Sequence, residues 1–524
     1  MKFDLIIKGG TVLDGVSNEG YLTDIGIAGD RIKAIGDLQD AQAESVVIGE
    51  NYYVSPGFVD IQNHSDSYLT LLEIPNQKSL VSQGITTIVV GHCGASLGPL
   101  PTPEALKSVQ KWRSLAGANL NWLTFAEYLD ALEKYKIGVN VASLVGHSTI
   151  RRGLLGDEAR SATPEEIKIT LKVLGESLMA GAAGASLGLM YAHEVDSSKQ
   201  ELLEFASLVG KNKKVLSVHL RSEGSHITEA LEEVVGLARE SGVCLKISHL
   251  KVRGKRNWPE LEQVLNNLDR VYQKGIDVFF DVYPYTSSWE VLYTYLPKWA
   301  YEGGKKAILA NIKDGPSRDK ILFYLAGQER NLGSIFIATS ETNPAFIGKT
   351  LKQIAENQEI GVEDALLNVL EGTNAQVVVF DRNLSDDNLN QLLKHPLSVV
   401  ATDGAGYDFD YSALHGLVHP RCFGTMPKFL SMVREQNLMS WAAAIKKISS
   451  KPADKVKLKD RGKIMVGNFA DIVVFDPHNI GARASYQNPY QLSIGIKYVF
   501  VNGHLAFSEG GDQIALPGRV LRVK

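Results

Sequence analysis

The sequence predicts a (β/α)8 barrel, on three observations. From Val54 onward, short β-branched runs recur eight times, amphipathic stretches lie between several of them, and a polar or metal-ligating residue closes each run. Strands buried on both faces read as near-continuous apolar runs, which is the pattern of a parallel sheet.

In order, the runs are VSPGFVDIQNH, ITTIVVGHCG, VNVASLVGH, GASLGLMY, KVLSVHLRS, VCLKISHLK, IDVFFDVYPY and LSVVATDGAG. They end at His64, Cys93, His147, Tyr191, His219, His249, Tyr283 and Asp403. In this fold the C-terminal rim of the strands is where active sites are built. Between the fifth and sixth runs, SHITEALEEVVGLARESG (225–242) carries apolar residues at helical spacing.

His219, His249 and Tyr283 follow at about one strand–helix repeat each. The gap from Tyr283 to Asp403 is far longer, which predicts an insertion at roughly 286–350. On the catalytic rim such an insertion is most simply a lid. Residues 1–53 read as short strands with turns at KGG and AGDR, and strands return after about 460 in GKIMVGNFADIVVFDP and IKYVFVNGHLAF. The expectation is a small β-sandwich made by both termini, 1–53 with 460–524, beside a barrel of 54–459.

The 524 residues are 44% hydrophobic, enough for one large core with smaller units attached. Net charge is −4 and there is no basic stripe with interleaved aromatics, so no nucleic-acid partner is expected. No apolar run is long enough to span a membrane, and the N-terminus lacks the h-region of a signal peptide. Cys93, Cys244 and Cys422 are scattered, which does not suit a disulfide framework and fits a reducing compartment; a cytoplasmic location is expected.

Cys93, His219 and His249 offer one thiolate and two imidazoles at the ends of three strands, a set that favours zinc. Singly, a buried cysteine is a small hydrophobe and a lone histidine is a core residue. Three ligand types on three rims of one barrel make the metal site the better reading. Asp403, from the eighth strand, lies beside the first strand in a closed barrel, where a carboxylate can take the proton of an activated water. Its bland alternative is a turn residue, since Asp-Gly is a common turn pair.

The chain resembles the N-acyl-D-amino-acid deacylases (D-aminoacylases) of the amidohydrolase superfamily. The resemblance covers almost all of it: DLIIKGGTVLDG, PGFVDIQNHSD, QGITTIVVGHCGASLGPL, GASLGLMY, HLRSEG, SHLK, DVYPYT, TDG, HPRCFGTMPK and LKDRGKIMVGNFADIVVFDP. It implies zinc on Cys93, His219 and His249, with Asp403 as catalytic base and acid.

The departure lies in QNH. The family pattern on the first strand is D-x-H-x-H-x-D, and here Gln62 stands where a histidine is expected before His64. In the superfamily these histidines serve the second of two adjacent metal positions, and a neutral carboxamide is a weak zinc ligand. One tightly bound zinc is therefore expected, with a second site, left with His64 and Asp403, weak or empty. His92 precedes Cys93 where the family has asparagine, and strand alternation predicts that it points away from the cysteine's side.

Lys251 lies two residues after His249 on the same strand face, and Tyr283, Ser287, Ser288 and Arg421 complete a set that suits a carboxylate. For an isolated lysine or arginine, surface solvation would be the better reading; the rim position reverses it. His64 and Tyr191 are candidates to stabilise an oxyanion, and His147 to support the site from behind. Cys244 reads as core, and His226, His395, His478 and His504 as structural or exposed.

The sequence thus predicts zinc-dependent hydrolysis of an N-acyl amino acid, a small molecule with a free carboxylate; the D configuration is implied by the resemblance alone. A homo-oligomer is compatible with the sequence and not specified by it. Two alternatives stand beside this reading. One is a cyclic amide or ureide hydrolase, disfavoured because its relatives place a bridging lysine on the fourth strand and GASLGLMY has none. The other is a non-catalytic protein on the same fold, favoured by Gln62 and opposed by retention of Cys93, His219, His249 and Asp403.

Overall fold

The structure, a computed structural model, describes residues 2–108, 120–156, 158, 160–328, 331–340, 343–408, 416–511 and 515–524. Positions 329–330 and 341–342 of the expected insertion lie outside the described residues. Strands are numbered in chain order. β1 (Lys2–Val12), β2 (Tyr21–Ala28), β3 (Arg31–Gly36), β4 (Gln42–Ile48) and β5 (Tyr53–Pro56) come first. The barrel strands follow: β6 (Phe58–Asp60), β7 (Ile85–Val90), β8 (Asn140–Gly146), β9 (Gly184–Gly188), β10 (Val215–His219), β11 (Cys244–Ile247) and β12 (Val278–Val282). After β13 (Ser288–Val291), β14 (Phe336–Ser340) and β15 (Val377–Asp381) comes the eighth barrel strand, β16 (Ser398–Val400). The chain ends with β17 (Ile472–Phe475), β18 (Ile496–Val501) and β19 (His504–Ser508).

β6 to β12 and then β16 form one parallel sheet in that spatial order. Beyond the strand ends it closes into a barrel. The His64 amide donates to the Gly404 carbonyl at 2.7 Å, and the Asp403 amide to the Gln62 carbonyl at 2.9 Å. Closure is what sets the first-strand histidine beside the eighth-strand aspartate.

Alternation sorts the strand residues. Val215 and Phe279 join an interior layer with Val59, Val89, Leu144 and Val399, whereas Leu216, Val218, Val278 and Phe280 face the surrounding helices. Those helices are amphipathic and well terminated. Pro164–Met179 begins with a Thr163–Glu166 capping box, and Ile227–Ser241 stops at Gly242, whose φ of +67° is costly for any residue with a Cβ. Among the described residues, no helix is long and apolar enough to cross a membrane.

The two termini make one hydrogen-bonded sheet in the order β3-β2-β1-β5-β17-β18-β19, with β4 on β1. It curls so that Arg31 bridges Phe469, and both halves enclose one core of Leu5, Ile7, Ile25, Ile27, Ile472 and Val474. The alternate residues Val473 and Phe475 turn the other way and join the core of the barrel's helical layer. Period two in a single strand therefore serves two cores at once.

The insertion after β12 is an antiparallel sheet, β13-β15-β14, with helices Gly304–Lys313, Gly315–Ala326, Leu351–Gln358 and Val362–Gly372. It continues past residue 350 to Asp381, longer than strand spacing suggests, because QVVVFD has the same apolar profile as a barrel strand. Its core includes Trp289, Leu292, Ile337, Leu366 and Val379, and is continuous with Tyr68, Cys93, Tyr191 and Phe423 from the barrel. The insertion thus packs directly over the catalytic rim.

Candidate metal centre and catalytic cavity

Three strand ends deliver the metal-ligand candidates to one point. Cys93 Sγ lies 3.6 Å from His219 Nδ1 and 3.6 Å from His249 Nε2, and all three residues are buried. Zinc–sulfur and zinc–nitrogen bonds of about 2.3 and 2.05 Å at tetrahedral angles give a sulfur–nitrogen separation of roughly 3.6 Å. The cluster therefore already has the dimensions of a zinc site. Burial alone would raise the Cys93 thiol, but the surrounding His219, His249 and His64 outweigh it and hold the group well below its ordinary value, as a metal ligand requires.

The backbone is bent to make this geometry. Cys93, His249 and Asp403 have φ of 54°, 37° and 48°, left-handed values that non-glycine residues adopt at a cost. β11 alternation sends Lys246 and Ser248 into the barrel; the turn at His249 lets the next side chain face inward as well. The Asp281 carboxylate holds that turn by accepting from the His249 amide at 2.9 Å. The same break in period corrects the expectation for His92. β7 ends at Val90 and Gly91 has φ +84°, so His92 also points into the barrel, where its nitrogens meet Ser217 Oγ and the Val89 carbonyl, both at 3.1 Å.

Glu223 was not singled out from the sequence, although it lies in the quoted HLRSEG. Its Oε1 is 3.0 Å from His249 Nδ1, 3.9 Å from His219 Nε2 and 2.7 Å from Lys251 Nζ. A carboxylate at hydrogen-bond distance behind the His249 imidazole fixes its orientation and would make it a better donor to a metal, whereas at 3.9 Å from His219 it acts through charge. Burial opposes the ionised form of Glu223, but Lys251, His219 and His249 outweigh it and hold its carboxyl well below the ordinary range. Lys251 is therefore neutralised by Glu223 and also lies 2.9 Å from His249 Nδ1.

Asp403 stands beside the cluster. Its Oδ1 meets His64 Nε2 at 3.1 Å and its Oδ2 meets Arg421 Nη1 at 2.8 Å. Burial would raise its carboxyl, but Arg421, His249 and His64 overcome this and keep it well below the usual carboxylate value. Arg421 also lies over the Tyr283 ring at 4.7 Å and the Trp289 ring at 5.3 Å. The Tyr283 hydroxyl and Arg421 Nε have no hydrogen-bond partner among the described residues.

These groups line one cavity, together with Tyr191 and Ser288. Ser287 does not line it; its carbonyl accepts from His419 Nε2 at 3.0 Å. Trp289 and Glu290 from β13 do, and Glu290 pairs with Arg253. Trp289 and Glu290 lie in the insertion and Arg253 just past SHLK, but nothing in their local pattern marks them, since their role depends on how the insertion folds back. His147 stands away from the cavity, fully buried between Glu194 at 2.7 Å and Glu201 at 3.1 Å. The Glu194 carboxylate occupies the space a Cβ at Gly94 would fill, so this knot braces the loop that carries Cys93.

Known proteins resemble this chain over its full length. The model of the amidohydrolase family matches residues 50–507. The D-aminoacylase of Alcaligenes xylosoxydans xylosoxydans is 32% identical over 99% of this chain and 97% of its own. The crystal structure of the N-acyl-D-glutamate deacylase of Bordetella bronchiseptica, complexed with zinc and a phosphonate mimic of the tetrahedral intermediate, superposes with a TM-score of 0.85 at 29% identity, covering 100% of both chains. A D-aminoacylase structure described by one-metal activation and second-metal attenuation superposes with a TM-score of 0.84 at 30% identity, over 99% of this chain and 100% of that one. With its barrel, cysteine–histidine cluster and full-length similarity, the chain belongs to the amidohydrolase family and, within it, to the N-acyl-D-amino-acid deacylases.

Proposed function

We propose that the protein hydrolyses the amide bond of an N-acyl-D-amino acid with a single tightly bound zinc ion. The observation that carries this is the Cys93–His219–His249 cluster, at zinc dimensions, with an ionised Asp403 beside it in a cavity that also exposes arginine and tyrosine donors. Zinc held there supplies a Lewis acid next to the attacking water and the acyl oxygen. Asp403 accepts the water proton and returns it to the leaving nitrogen, so the product amine departs neutral. His64 and Arg421 each hold one of its oxygens, which keeps the carboxylate aimed through both transfers.

The substrate carboxylate is received by Arg421 Nε and the Tyr283 hydroxyl, whose hydrogen-bonding capacity is unused. Lys251, neutralised by Glu223, supports His249 from behind and leaves the carboxylate to Arg421 and Tyr283. Tyr191, whose ring lies 5.0 Å from that of His219, is placed to meet the acyl oxygen. The D configuration is carried over from the relatives' names. One ion rather than two follows from Gln62, and the second-metal attenuation described for the D-aminoacylase is consistent with a second ion being dispensable. The ring-opening alternative lacks its bridging group, because β9 brings Ser186, not lysine, next to the Cys93 loop.

The test is zinc analysis of the purified protein together with a screen of N-acetyl and N-formyl D- and L-amino acids and of hydantoins. About one zinc per chain and turnover confined to D substrates is expected. Turnover of hydantoins in preference to N-acyl amino acids would overturn the reading.

A further inference from the structure

We propose that Lys246 is a built-in cation that locks the Gln62 carboxamide into the seat of a second metal ion, so that the site is held mononuclear by its own side chains. This rests on the one-zinc reading above and deepens it.

Gln62 and Lys246 are both buried, at 0% and 1% exposure. Gln62 Oε1 accepts from Lys246 Nζ, and from Ser248 Oγ at 3.2 Å. An ammonium has three donors and no acceptor, so the carboxamide oxygen must face it and the NH2 must face the other way. That nitrogen lies 3.5 Å from His64 Nε2, 3.4 Å from Asp403 Oδ1 and 3.6 Å from Cys93 Sγ. An imidazole, a carboxylate and a bridging thiolate are the donor set a second ion would need. The amide nitrogen sits among them, and its hydrogens meet acceptors that a cation would otherwise claim.

Lys246 is fixed in its role. Its Nζ lies 2.7 Å from Asp281 Oδ1 and donates to Ser217 Oγ at 3.1 Å. Ser217 Oγ is 2.9 Å from Ser248 Oγ and 3.1 Å from His92 Nδ1, so the floor of the barrel is one polar network. Asp281, in turn, holds the His249 amide. A lysine needed only to neutralise Asp281 would have no reason to set the orientation of Gln62. Here one ammonium does both, so the carboxamide keeps its NH2, not its oxygen, turned toward the seat.

The experiment is zinc titration by calorimetry, with elemental analysis after gel filtration, on four proteins: wild type, Gln62→His, Lys246→Met/Asp281→Asn, and Gln62→His/Lys246→Met/Asp281→Asn. Removing the lysine and aspartate together avoids leaving an uncompensated buried carboxylate. The wild type should take up one equivalent. Lys246→Met/Asp281→Asn, whose carboxamide is free to turn its oxygen toward the seat, should acquire a weak second site, Gln62→His should acquire one as well, and the triple variant should keep that of Gln62→His. A single equivalent in Lys246→Met/Asp281→Asn would overturn the proposal while leaving the one-zinc reading intact. Two tight ions in the wild type would overturn both. Should Lys246→Met/Asp281→Asn not fold, as judged by circular dichroism, Lys246→Gln/Asp281→Asn replaces it, with the same outcomes.

Discussion

Replacing Arg421 by methionine removes a guanidinium that faces the Asp403 carboxylate and, in the proposed reading, that of the substrate. Toward Asp403 it supplies a contact at 2.8 Å between side chains that are 5% and 9% exposed, so solvent screens it little. Toward the substrate it offers the unpartnered Nε. Methionine keeps much of the apolar stem that packs on Tyr283 and Trp289. An underpaired buried carboxylate costs about 2 to 4 kcal/mol, which corresponds to a loss of roughly 30- to 1000-fold in kcat/KM. Asp403 also loses the largest influence depressing its carboxyl, so its value rises and the acid limb of the kcat/KM profile moves to higher pH. Measuring kcat/KM for an N-acetyl-D-amino acid and for its neutral amide, with both proteins and across pH, separates the two effects. The amide has no carboxylate to lose, so its remaining deficit in the variant reports Asp403 alone. Zinc content should be unchanged. If the wild type takes the amide as readily as the acid, the carboxylate clamp is wrong and the ring-hydrolase alternative regains ground.

Cys93→Ala should lose zinc and activity together; if it retains zinc with near-normal turnover and is only about 1 kcal/mol less stable, the cysteine is core and not a ligand. Glu223→Gln should weaken zinc binding about 10- to 100-fold by loosening the His249 ring and removing the charge behind His219, measured by competition with a chelator, and an unchanged affinity would remove it from the supporting role. His147 gives a pH signature of folding. Burial lowers its value, but Glu194 and Glu201 outweigh this and raise it to about 9. Its stabilisation is therefore fully present below about pH 6.5 and lost as pH rises through about 9, on the order of 3 kcal/mol in total. Urea midpoints at pH 6 and 9.5 should differ more for the wild type than for His147→Gln, and parallel curves would refute the ion-pair account.

The barrel and the three members of the cysteine–histidine cluster were legible in the sequence because both depend on local chemistry. A parallel strand covered on both faces must be apolar throughout, and it carries its polar residue where the chain leaves the sheet, so Cys93, His219, His249 and Asp403 could be read off the ends of runs. Alternation fails where those runs stop. The left-handed backbone at Cys93, His249 and Asp403 re-aims side chains in a way no period-two pattern anticipates, and it is why His92 faces inward. The remaining decisions are made between distant residues. Gln62 reads as a lost ligand in the sequence, but its orientation is set by Lys246, 184 positions away, and Arg421 reads only as a substrate contact, whereas the closed barrel also brings Asp403 within 2.8 Å of it. A residue's type fixes what it can donate or accept, whereas the partner it meets inside a closed barrel depends on how eight strands converge, and that is a property of the tertiary structure alone.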